Sequence, residues 1–111
     1  MQVKFSNKGS TLVVSIIGEL DHHSIEYVRE KVDVEMMKAT TKNMILDFSK
    51  VSFMDSSGIG VIMGRYKNIM KLNGKAAVTN ASAQIQRILE MSGILKIIPM
   101  YDSIDDAINR M

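Results

Sequence analysis

The amino-acid sequence predicts an α/β fold: a mixed, mostly parallel β-sheet with helices packed on it, in the order β-β-α-β-α-β-α-β-α. Short β-branched and apolar runs (Thr11 to Ile17, Met44–Phe48, Ala76–Thr79) have the length and flanks of buried strands. Stretches of helical periodicity separate them, and strands alternating with helices imply right-handed crossovers and parallel pairing. With 111 residues, 46% hydrophobic and 23% charged, the chain has the size and composition of a single globular domain over residues 1–111.

The first strand is short and suits an edge, because Val3 and Phe5 alternate with Gln2, Lys4 and Ser6. Asn7-Lys8-Gly9-Ser10 is turn chemistry, so Thr11 to Ile17 returns antiparallel and completes a hairpin. Gly18 to Ser24 then leaves the sheet as a loop. Ser24 is the expected N-cap of the first helix, with Glu26 and Glu30 near its positive end. Ile25, Val28, Val32 and Met36 form the buried stripe of that helix, while Arg29 and Asp33 are spaced to pair on its exposed side. Thr40-Thr41-Lys42-Asn43 breaks the pattern. The nearly continuous hydrophobicity of Met44–Phe48 suits a central strand. A second helix runs from about Ser56 to Leu72 and ends at Asn73-Gly74. After the strand at Ala76–Thr79, Ser82 caps a third helix that packs through Ile85, Ile88 and Leu89 and stops at Ser92-Gly93. Lys96-Ile97-Ile98 is expected as a short last strand, ended by Pro99. Ser103 opens a final helix with Ile104, Ala107, Ile108 and Met111 along one side.

Composition narrows the function. The net charge is only +2, with acids and bases interspersed, so the basic stripe needed for DNA or an anionic membrane is missing. The absence of Cys excludes disulfides, thiol chemistry and thiolate metal sites. The apolar runs fall short of a membrane span and the N-terminus carries no signal-peptide pattern, so a cytoplasmic location is expected. Nothing in the pattern calls for a dimer, and a monomer is expected. Among the ten Met residues, Met44, Met63, Met70 and Met91 fall within apolar patterns and are expected to fill the core.

The chemistry concentrates at Phe53-Met54-Asp55-Ser56-Ser57-Gly58-Ile59-Gly60. This stretch places Asp55 and Ser56 on a strand-to-helix turn, where side-chain oxygens cap free N–H groups. On a helical wheel, Ile59, Ile62, Met63, Tyr66, Ile69 and Met70 share one side; Ser57, Gly60, Val61, Gly64 and Asn68 share the other. A glycine inside a helix costs about 1 kcal/mol relative to Ala. Gly60 and Gly64 therefore suggest a flat face beside Ser56 that another protein approaches closely; close packing against a loop of the same chain is the alternative.

Three readings of Ser56 are open. It can act as a structural cap. It can be a nucleophile with His22 or His23 as base and Asp21 or Asp55 as orienter, although Met54 stands where the G-x-S-x-G elbow needs Gly. It can also be a phosphorylation site, where a phosphate adds about −1.5 to −2 charge at a helix N-terminus. Asp21-His22-His23 lacks a third ligand at fixed spacing, so no metal is expected. Gly58, Gly60 and Gly64 do not form a nucleotide fingerprint, and no cofactor is expected. If the strands before Asp21 and Ser56 are parallel, both residues lie at the same sheet edge, where open α/β sheets place their sites.

Gly18-Glu19-Leu20-Asp21-His22-His23, the run from Phe53 to Lys67, and Met91-Ser92-Gly93-Ile94-Leu95-Lys96-Ile97-Ile98 together resemble the STAS-domain anti-sigma-factor antagonists, above all those of sporulation. The resemblance covers nearly the whole chain in register, and the Asp-Ser-Ser-Gly block in its longer context is its most specific part. It implies a switch without catalysis of its own. The unphosphorylated protein would bind an anti-sigma factor that is also an ATP-dependent serine kinase, releasing the sigma factor. Phosphorylation of Ser56 would end that binding, and a serine phosphatase would restore it; ATP and ADP belong to the kinase. Asp21 matches the family's interface Asp. The expected partner-binding residues are thus Asp21, Asp55, Ser56, Ser57, Gly58, Ile59, Gly60 and Gly64. A stress-signalling module with a different kinase, or a small serine hydrolase, are the alternatives.

Overall fold

Strands pair in chain order in the computed structural model, which describes residues 1–38 and 40–111. They are β1 (Gln2–Lys8), β2 (Thr11–Leu20), β3 (Asn43–Met54), β4 (Ala76–Thr79) and β5 (Met100–Tyr101). The hairpin β1–β2 is antiparallel and every later pair is parallel. Between the parallel strands lie α1 (Ile25–Met37), α2 (Ser56–Lys71) and α3 (Ala83–Ser92), and α4 (Ile104–Arg110) closes the chain. This is the predicted order and sheet type.

Strand alternation sorts the core into two layers. Leu12, Val14, Ile16, Met44, Leu46, Phe48 and Val78 point to one face, where they pack with Val28 and Val32 of α1, Ile62 and Ile69 of α2, and Ile85 and Leu89 of α3. Val13, Ile45 and Ala77 point to the other and meet Ala107 of α4. A central strand covered on both faces has little room for polar residues, which accounts for the apolar run at Met44–Phe48.

Several local expectations need correction. The second strand does not end at Ile17, nor the third at Phe48: β2 and β3 continue together until Leu20 pairs with Met54. The continuation is irregular, because β3 has one extra residue between the Ser15–Asp47 and Ile17–Lys50 pairs and another between Gly18–Val51 and Glu19–Phe53. Each bulge reverses which side faces the core, so Phe48, Val51 and Met54 are all buried although successive ones lie an odd number of residues apart. Lys96-Ile97-Ile98 is not a strand. Gly93 adopts a left-handed conformation (φ 81°), a 3-10 turn follows at Ile94–Lys96, and Ile94 and Ile98 are buried one turn apart. The last strand comes after Pro99, whose carbonyl accepts from the Val78 N–H.

The methionine expectation holds for Met44, while Met63 packs partly buried against the core. Met70 and Met91 are 48% and 82% exposed, because the neighbouring Ile69 and Leu89 take the inward positions. Arg29 pairs with Glu26 rather than Asp33, which instead faces Arg65 of α2. Among the described residues, no helix is long and apolar enough to cross a membrane.

Candidate functional site

The β2–β3 register brings two turns together at the carboxyl end of the sheet. With Leu20 beside Met54, the turn Asp21–Ser24 and the turn at Asp55 leave adjacent strands at the same level. Asp55 joins them. It is the N-cap of α2 in extended conformation, its Oδ1 accepts from the Ser57 N–H at 2.8 Å, and its Oδ2 accepts from the His22 N–H at 3.3 Å. Partial desolvation pushes the Asp55 pKa upward, but N–H donors from Ser57, His22 and Gly58 outweigh it and hold the carboxyl below its ordinary value. Asp55 is therefore an anionic clasp between the two turns.

Asp21 organises its own turn. Its Oδ1 accepts from the N–H groups of His23 (3.0 Å) and Ser24 (3.2 Å), ahead of α1. Ser24 occupies the N-cap position without capping through its side chain; its hydroxyl donates to the Glu19 carbonyl and accepts from the Asp21 N–H. The extension of β2 explains this, since the Glu19 carbonyl now lies within reach. Asp21 is half-buried at the lip of a hollow of about 570 Å³ bounded by Met1, Glu19, His23 and Tyr27.

Ser56 is the first residue of α2 and is exposed, with its backbone placed by the Asp55 cap. The carboxylates of Asp21 and Asp55 at these turns accept from backbone N–H groups. Among the described residues no hydrogen bond joins Ser56 to a histidine, and the His22 and His23 rings meet each other edge-on at 5.5 Å. The nucleophile–base pair that a hydrolase needs is not assembled here.

The helix wheel is rotated from the expected one. The inward line of α2 is Gly58, Val61, Ile62, Arg65 and Ile69, while Ile59, Met63 and Tyr66 are half-buried. Gly58 sets this rotation. A Cβ there would lie 2.5 Å from Met54 Cγ and 3.0 Å from the Leu20 carbonyl oxygen, so α2 rests directly on the strand ends. Gly58 is thus buried, not part of an outer face, and Val61 is buried as well. Gly60 and Gly64 differ: a Cβ at either would meet nothing within 4 Å. Their missing side chains serve no internal packing and leave low ground beside Ser56 and Ser57.

The sequence reading missed Arg65, which is only 6% exposed between α1 and α2. Its position was readable: it falls on the 58–61–65–69 line, where a charged residue breaks an otherwise small or apolar series.

Comparisons with known proteins agree with this architecture. The STAS domain family model matches residues 2–107. The anti-sigma F factor antagonist of Paenibacillus polymyxa is 37% identical over 111 residues, covering 100% of this chain and 95% of its own. The anti-sigma-B factor antagonist of Bacillus subtilis is 31% identical over 88% of each chain. The structure of the anti-sigma factor antagonist SpoIIAA in its unphosphorylated form superposes with a TM-score of 0.76 at 28% identity, covering 98% of this chain and 96% of that one. The Bacillus protein in its phosphorylated form gives 0.74 at 28% identity, with 98% of both chains covered. On its fold, its sequence and its match along nearly the whole chain, this protein belongs to the STAS domain family.

Proposed function

We propose that this STAS domain is an anti-sigma factor antagonist that works by exchanging partners. In its unphosphorylated form it binds an anti-sigma factor that is also a serine kinase, and so frees a sporulation sigma factor. The docking face comprises Asp21, Asp55, Ser56, Ser57, Ile59, Gly60 and Gly64. The kinase supplies ATP: the Ser56 Oγ attacks the γ-phosphorus, ADP leaves, and the hydroxyl proton passes to a base of the kinase. A serine phosphatase later hydrolyses the phosphoester. The domain itself performs no catalysis, acts as a monomer in the cytoplasm and needs no cofactor.

The observation that carries this reading is the exposed Ser56 at the first position of α2, bordered by open ground at Gly60 and Gly64. A phosphate there would add about −1.5 to −2 charge beside the anionic Asp55, on the surface a partner must approach. Support also comes from the names of the relatives and from the solution of SpoIIAA in both phosphorylation forms. Mixing the protein with its cognate anti-sigma kinase and ATP, followed by intact-mass spectrometry beside Ser56→Ala, tests the reading. One added phosphate, absent from the variant, is the expected result. No phosphate, with the kinase active on another substrate, would overturn the Ser56 switch. The likeness to the anti-sigma-B factor antagonist favours a second reading, the same device in stress signalling, and relative affinity for the two kinds of kinase separates them.

A further inference from the structure

The α1–α2 seam holds an arginine whose hydrogen-bonding capacity the fold leaves partly unused. The Arg65 side chain is 7% exposed, and its Nε lies 2.9 Å from Asp33 Oδ1. The two atoms do not form an aligned hydrogen bond, and Nη1 has no partner among the described residues. Burial lowers the Arg65 pKa, Asp33 opposes that change, and Arg29 adds to it. Both orphaned nitrogens are enclosed in the seam, so a carboxylate, the group whose geometry matches a guanidinium fork, completes this site only by displacing Asp33.

The surrounding surface is a furrow. A hollow of about 400 Å³ is lined by Ile25, Arg29, Ser57, Gly60, Gly64 and Arg65. A second, of about 500 Å³, is lined by Asp33, Met36, Met37, Asn68, Lys71 and Leu72. The Arg65–Asp33 pair lies between them, each member bordering one hollow. The first begins at Ser57 and so continues the face beside Ser56. Of the cations bordering the two hollows, Arg29 is paired with Glu26, while Lys71 and the incompletely bonded Arg65 remain to favour an acidic occupant. At the far end, Met37 is 84% exposed and Leu72 44%, an adaptable apolar seat.

We propose that this furrow receives a segment of the anti-sigma kinase that presents a carboxylate to Arg65 and an apolar side chain to Met37 and Leu72. The inference rests on the partner-exchange reading above. Asp33 holds Arg65 while the partner is absent and yields it on docking.

Calorimetric titration of the cognate anti-sigma kinase into wild type, Arg65→Met and Asp33→Asn tests this. Arg65→Met should weaken binding roughly tenfold or more; because it leaves Asp33 without its partner it should also melt lower, so affinity is read at a temperature where the variant is folded. Asp33→Asn should tighten binding severalfold, because it removes the internal competitor and leaves the cation. A purely structural clamp predicts the opposite sign for Asp33→Asn. Wild-type affinity in Arg65→Met, or weakened binding in Asp33→Asn, overturns the proposal. If Arg65→Met fails to fold, Asp33→Asn and the surface variant Met37→Glu decide: tightening in the first and weakening in the second uphold it, and any other pair of results overturns it. If the kinase does not bind wild type at all, the partner-exchange reading falls and takes this inference with it.

Discussion

Replacing Gly60 and Gly64 together by Ala should make the protein more stable and a worse partner. Each glycine sits inside α2, where Ala is favoured by about 1 kcal/mol. Neither new methyl meets an atom within 4 Å, so no clash offsets the gain, and the pair should add about 2 kcal/mol. Unfolding entropy of about 2.1 cal/mol/K per residue, applied to this chain length, converts that into a Tm rise of roughly 9 °C. On the partner's side, the same methyls fill space that a docking backbone would occupy. Overpacking of about 1–3 kcal/mol corresponds to a Kd increase of roughly fivefold to more than a hundredfold. Differential scanning calorimetry and titration with the anti-sigma kinase read the two effects separately. A lower Tm would show that the two positions are not open; a higher Tm with unchanged affinity would remove this face from the interface. Only the combination of gain and loss fits a glycine pair kept for docking at the expense of stability.

Gly58→Ala should do the reverse for stability. Its methyl meets Met54, which can rotate, and the Leu20 carbonyl, which cannot, so a net loss of about 1 kcal/mol is expected by urea titration; a gain would refute the close contact. Asp21→Asn keeps an oxygen for the His23 and Ser24 N–H groups but removes the charge, and should weaken kinase binding while leaving the melting curve nearly unchanged. Normal affinity would take Asp21 out of the interface. Asp55 has a folded pKa below its ordinary value of 3.8, so its stabilising effect is complete above about pH 4 and is lost as pH falls through the lower, folded value. The stability gap between wild type and Asp55→Asn should accordingly close on acidification below about pH 4. A gap independent of pH down to about 2 would refute the carboxylate's role as the clasp.

The element order and sheet type were legible because apolar strand runs and helical stripes in this chain seldom overlap. Where tertiary pairing decides, the local pattern misled. Ser49 and Lys50 read as the end of a strand, yet β3 passes through them with an extra residue and regains the core at Val51. Ile97 and Ile98 are β-branched and favour extension, but Gly93 in the left-handed region turns the chain so that Ile94 and Ile98 bury together. At the site, a cap from Asp55 or Ser56 and the exposed position of Ser56 followed from a strand-to-helix turn alone, and the structure assigns the cap to Asp55. The roles of individual glycines did not, because a wheel built from apolar residues cannot show that Gly58 touches the strand ends while Gly60 and Gly64 face open space. Arg65 was overlooked for the same reason: its burial depends on a helix thirty residues earlier, whose Asp33 reaches it across the seam.

Ser56 is exposed, and the clasp that positions its backbone belongs to Asp55. Under the proposed switch, a phosphate at that spot would leave the fold as durable as before, so quality-control proteases would have no reason to favour one form for removal. Cells would then carry a constant pool of the protein and store the signal as a ratio within it. The signal could be rewritten as fast as kinase and phosphatase turn over, without waiting for synthesis or decay of the chain.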